Sequence, residues 1–132
     1  MGEIGKLFQT ADWKVEKHVP VITLPDKVRS DELVPLTVSV GKQIPHPNTT
    51  EHHIGWIEVY FLPSQGKFPL MIGRFEFSTH GAGTDGPNTS SIYTHPEVVC
   101  TLKTGKPGTV LATSFCNIHG LWTASAELSL QD

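Results

Sequence analysis

Ile54-Gly55-Trp56-Ile57-Glu58-Val59-Tyr60-Phe61-Leu62 decides the fold. Trp56, Glu58 and Tyr60 alternate with Ile57, Val59 and Phe61, the period of a strand with one face turned to a core. Working outward, further apolar, β-branched runs occupy residues 19–24, 33–40, 69–77, 98–102, 110–115 and 124–130. Each is bounded by Pro, Gly, Asn, Asp or Ser, as in Pro63-Ser64-Gln65-Gly66 and Lys103-Thr104-Gly105-Lys106-Pro107-Gly108. About seven short strands separated by turn signals predict an all-β chain folded as an antiparallel two-sheet sandwich.

Composition agrees. Hydrophobic residues make up 38% and charged residues 17% of 132 residues, with ten prolines and twelve glycines. That mix suits a turn-rich sheet protein, and the length suits one domain spanning residues 1–132. A formal charge of −3 with no Lys/Arg run points away from nucleic acid and anionic membranes. No apolar stretch approaches bilayer length and the N-terminus lacks a signal-peptide pattern, so a reducing cytoplasm is expected. Cys100 and Cys116 are expected to stay reduced, with Cys100 a small core residue. Residues 3–13 suit either a short helical turn or an extended arm. The loop His80-Gly81-Ala82-Gly83-Thr84-Asp85-Gly86 is no phosphate loop, because no Gly-Lys-Ser/Thr follows.

The chemistry lies in three segments. Cys116-Asn117-Ile118-His119 places a thiolate and an imidazole within one turn at a strand end. His18 precedes Val19-Pro20, and His46 stands between Pro45 and Pro47, whose rings hold the loop extended. His52 and His53 follow at the entrance to a strand. One thiolate with several imidazoles describes a transition-metal site, where a hard cation would want carboxylates and carbonyls. His80 and His95 lack such context and read as loop histidines. A structural zinc site would take four ligands, usually with more than one Cys. A blue-copper electron carrier would take two His, one Cys and commonly an axial Met. The only methionines are Met1 and Met71, and neither follows His119. Iron accepts five or six mixed donors and would use the whole inventory.

Trp13-Lys14-Val15-Glu16-Lys17-His18-Val19-Pro20, Ile44-Pro45-His46-Pro47-Asn48-Thr49-Thr50-Glu51-His52-His53, Gly73-Arg74-Phe75-Glu76-Phe77 and Cys116-Asn117-Ile118-His119-Gly120-Leu121-Trp122 together resemble the superoxide reductases. The resemblance is to the single-iron neelaredoxin type of the desulfoferrodoxin family, along nearly the whole chain. It implies an immunoglobulin-like sandwich holding one iron per chain. It also implies equatorial ligands His18, His46, His52 and His119, with Cys116 as the axial thiolate. Choosing His52 over His53 comes from the family motif; strand alternation says only that the two face opposite ways. His53 is then a supporting or packing residue.

The implied activity is one-electron, inner-sphere reduction of superoxide to hydrogen peroxide, with electrons from a donor protein such as rubredoxin. Lys17 would attract the anion and help deliver a proton. Glu16 would occupy the sixth position of the oxidised iron. A homotetramer is the common assembly among single-iron members. Longer members carry a further N-terminal iron centre held by several cysteines, which this chain lacks. Gly55, Phe115 and His95 depart from the longer, often basic side chain, the Tyr and the Glu common at those places, without touching a proposed ligand.

Overall fold

The computed structural model describes residues 3–131, and its regular secondary structure is strand apart from one 3₁₀ turn. After a 3₁₀ turn (Ile4–Leu7) come β1 (Pro20–Thr23), β2 (Val28–Arg29), β3 (Leu33–Val40), β4 (Ile54–Pro63) and β5 (Leu70–Glu76). β6 (Glu97–Lys103), β7 (Gly108–Cys116), β8 (Gly120–Leu128) and β9 (Leu130–Gln131) complete the order. A three-stranded antiparallel sheet, β1-β3-β6, packs against a four-stranded antiparallel sheet, β5-β4-β7-β8. The fold is an antiparallel β-sandwich of the immunoglobulin-like kind.

Period-2 burial builds the core from both sheets. β3 turns Val34, Leu36, Val38 and Val40 inward; β4 answers with Ile57, Val59 and Phe61, and β7 with Val110 and Ala112. Deleting a side chain such as Ile57, fully buried here, costs about 2–5 kcal/mol in cores of this kind. Trp56, Glu58 and Tyr60 lie half-buried on the opposite face of β4, as the alternation predicts.

Two features differ from the sequence reading. β8 begins at Gly120, four residues before the run at 124–130, because the hairpin from β7 is only three residues long and pairing resumes at once. β2 and β9 are two-residue strands paired in parallel, too short for any periodicity to mark them. Cys100 is free and packs partly buried against the core, and Cys116 is free and fully buried. The N-terminal segment has both predicted forms. It makes the 3₁₀ turn and then an extended arm, in which Gln9 donates to the Leu121 carbonyl and accepts from the Thr123 N–H (3.0 and 2.8 Å).

Register gathers one set of strand ends. Pro20 pairs with Val40, and Cys116 pairs with both Ile54 and Gly120. Residue 18, the loop from β3 to β4 and the β7–β8 turn therefore share one end of the sandwich.

Candidate metal centre

β7 buries every second residue from Gly108 to Cys116, so Cys116 is the last of the inward series. Ser114, two residues earlier, is buried too and donates to the His18 carbonyl at 3.3 Å. This contact ties β7 to the segment before β1. Within the β7–β8 turn the His119 amide donates to Cys116 Sγ at 3.3 Å, and His119 Nδ1 lies 3.7 Å from that sulfur. Gly120 closes the turn at φ 82°, a conformation open to glycine at little cost.

Four imidazole rings surround this point. Around the perimeter, centroids stand 4.8 Å apart for His18–His46, 4.7 Å for His46–His52, 5.1 Å for His52–His119 and 4.6 Å for His119–His18. The His18–His52 diagonal is 6.3 Å. Four near-equal sides with a longer diagonal make a quadrangle. The donor atoms of His18, His52, Cys116 and His119 all lie within 4.8 Å of one another.

Hydrogen bonding fixes which nitrogen His18 and His46 present. His18 Nδ1 faces the Glu16 carboxylate at 2.8 Å and so carries the proton, leaving Nε2 a lone pair 3.1 Å from His119 Nδ1. Two nitrogens bound at right angles to one ion, each about 2.1 Å away, would stand about 3 Å apart. His46 Nδ1 donates to the Pro47 carbonyl at 2.6 Å. His46 Nε2 and His52 Nε2 are buried without any partner. Buried polar atoms are ordinarily hydrogen-bonded, so a pair of orphaned imidazole nitrogens beside a buried thiol is the donor chemistry a soft or borderline cation satisfies.

Burial favours the neutral form of His18, His46 and His52. Burial lowers the pKa of His46 to about 4, against a smaller opposing pull from the Pro47 carbonyl. Burial also lowers His52, helped by the neighbouring His119 and His18, and lowers His18 despite its bond to Glu16. Burial works against the Glu16 carboxylate, but bonds from the His18 amide and ring outweigh it and hold its pKa below the ordinary value. The Lys17 charge, one residue before His18, adds a small further lowering at Glu16, His18, His46 and His52.

The profile of the desulfoferrodoxin family matches residues 10–125. The chain belongs to the desulfoferrodoxin family. Within that family it is 54% identical to the neelaredoxin of Megalodesulfovibrio gigas over 95% of this chain and 96% of the other. Identity to the superoxide reductase of Pyrococcus furiosus is 55%, over 95% of this chain and 98% of that one. The reduced superoxide reductase (neelaredoxin) of Archaeoglobus fulgidus superposes with a TM-score of 0.87 at 59% identity, covering 94% and 99% of the two chains.

Glu16 turns its carboxylate to His18, whose amide and ring it binds, rather than into the quadrangle. His53 points away from the cluster and stacks on His80, with centroids 3.6 Å apart and planes within 5°. His80 is no ordinary loop histidine. It is buried, and it bonds the Asn48 side chain (2.8 Å) and the Phe77 carbonyl (2.7 Å), bracing the loop that carries His46 and His52. His95 is exposed.

The departures at Gly55 and Phe115 belong together. β4 bulges against β7 at this point, and a Cβ on Gly55 would sit 3.1 Å from the Phe115 ring. Trp122 also packs against the cluster, a contact the sequence reading did not anticipate. Its indole stacks on His18 (5.0 Å, 13°) and donates to the His119 carbonyl at 3.3 Å, flooring two sides of the quadrangle. Its sequence signal is its place at the end of the family-like segment 116–122.

Proposed function

We propose that this chain is a superoxide reductase that holds one iron through His18 Nε2, His46 Nε2, His52 Nε2, His119 Nδ1 and Cys116 Sγ. The observation that carries the reading is the quadrangle of imidazoles over a buried thiol, with two of its nitrogens lacking any other partner. Five donors exceed the four of a structural zinc site and the three strong ligands of blue copper. Met71 pairs with Tyr60 on β4, six residues from the Ile54 that faces Cys116, or about 20 Å along the strand. Met1 lies outside the described residues. The copper reading therefore has no axial methionine among the described residues.

Iron bound here would supply the single electron that converts superoxide, with two protons, to hydrogen peroxide, and the Cys116 thiolate would favour its oxidation. The chain's own groups do the rest. Lys17 raises the local concentration of the anion and relays a proton through water. Glu16 fixes the tautomer and orientation of His18 while the site is reduced. The same carboxylate would be available as a further ligand to the oxidised metal. The His119 amide donates to the Cys116 sulfur and moderates how much charge the thiolate gives up.

The same reading takes residues 1–132 as a single iron-binding domain, assembled as a homotetramer in the cytoplasm and supplied by an electron donor such as rubredoxin. No helix among the described residues is long and apolar enough to cross a membrane. Elemental analysis of chain purified without chelators tests the metal. One iron per chain supports the reductase; copper in its place, with iron unable to load the metal-free chain, would move the reading to an electron carrier.

A further inference from the structure

We infer that Asn117 is a positioning residue whose side-chain amide fixes His52 relative to Cys116. The inference rests on reading this cluster as a metal site. Asn117 follows Cys116 directly, one step beyond the last residue of β7. Its amide N–H donates to the His53 carbonyl at 3.2 Å, while its Oδ1 accepts from the His53 N–H at 2.8 Å. Its Nδ2 donates to the Glu51 carbonyl at 2.8 Å.

The side-chain amide thus takes both roles of a peptide unit, one donor and one acceptor, and extends the β4–β7 pairing past the Ile54–Cys116 pair. Its two bonds fall on the two peptide groups that flank the Cα of His52. Both planes from which the His52 side chain departs are held by the residue bonded to Cys116. A ligand's angle and distance to its ion follow from its backbone, and the groups that hold ligands in place typically govern affinity by about 10- to 100-fold.

The geometry is specific to asparagine. An alanine keeps only the backbone bond to His53. An aspartate still accepts from His53 but cannot donate to Glu51, and it turns an anionic oxygen towards that carbonyl. A glutamine is one methylene too long to span the same pair.

The test compares iron-loaded wild type with Asn117→Ala and Asn117→Asp. It measures the rate of iron loss to an excess chelator, the energy of the sulfur-to-iron absorption band, and the thermal midpoint of the metal-free chain. The inference expects iron loss about 10- to 100-fold faster in Asn117→Ala. Asn117→Asp should fall between the two, and the band should move in the same order. If the alanine variant does not fold, the aspartate comparison carries the test alone. An ordinary turn residue would lower the thermal midpoint and leave both the band and the rate of iron loss at wild-type values, and that result overturns the inference. A wild-type chain that takes up no iron would instead overturn the metal reading beneath it.

Discussion

Gly41 and Gly120 share a backbone conformation, φ 86° and φ 82°, and differ in what a side chain would meet. Around a Cβ on Gly120 there is open space out to 4 Å, so Gly120→Ala carries only the left-handed backbone cost, roughly 1–2 kcal/mol. Lost freedom in the unfolded chain returns about 0.4–1 kcal/mol of this. A Cβ on Gly41 would stand 2.7 Å from the His46 backbone nitrogen and 3.3 Å from the Pro45 Cα. Backbone atoms cannot rotate aside, so the loop itself must shift, adding an overpacking cost of about 1–3 kcal/mol. Gly41→Ala should therefore unfold at clearly lower urea than Gly120→Ala, when both are measured on metal-free protein. Because the displaced atom belongs to His46, Gly41→Ala should also lose metal affinity beyond its loss of stability, read by chelator competition. Equal stability of the two variants, or a Gly120→Ala variant weaker than Gly41→Ala, would refute this account of the loop.

Replacing Cys116 with Ser should abolish the sulfur-to-iron absorption of the oxidised protein; a persistent band would exclude Cys116 as a ligand. Lys17→Ala should slow the second-order reaction with superoxide and flatten its dependence on salt while leaving iron content unchanged. An unaltered rate removes Lys17 from the mechanism. The metal-free chain should also be acid-sensitive. With His46 near 4 in the fold against 6.5 unfolded, the unfolded chain binds more protons between those values. Its contribution is complete above about pH 6.5 and is lost as the pH falls through about 4, worth at most about 3 kcal/mol. His18 and His52, lowered in the same sense, steepen the fall. Urea midpoints of metal-free protein that stay level between neutral pH and pH 5 would contradict this.

Much of the scaffold was legible because burial leaves a period. Ile57, Val59 and Phe61 alternate with polar or amphipathic neighbours, and the strand they announce is β4 almost to the residue. The run at 33–40 coincides with β3. The set His18, His46, His52, Cys116 and His119 was read from the family resemblance, and register shows why they meet: the segment before β1, the β3–β4 loop and the β7–β8 turn share one end of the sandwich. Other features carry no period. The choice between His52 and His53 needed the family motif, since parity says only that they diverge. The burial of His80 depends on Asn48 and Phe77, and the bonds of Asn117 reach back 64 and 66 residues. Contacts of that span are fixed by the tertiary fold and leave no local pattern to read. Trp122 entered the sequence reading only as the end of a family-like segment, and its stacking on His18 spans 104 residues that no local pattern marks.

The most direct test of the central claim is the stoichiometry of superoxide consumption by iron-loaded protein kept reduced by excess donor. Reduction predicts as much hydrogen peroxide formed as superoxide consumed, with no dioxygen released. Half as much peroxide, accompanied by dioxygen, would mean that the site disproportionates superoxide and would contradict the reductase assignment.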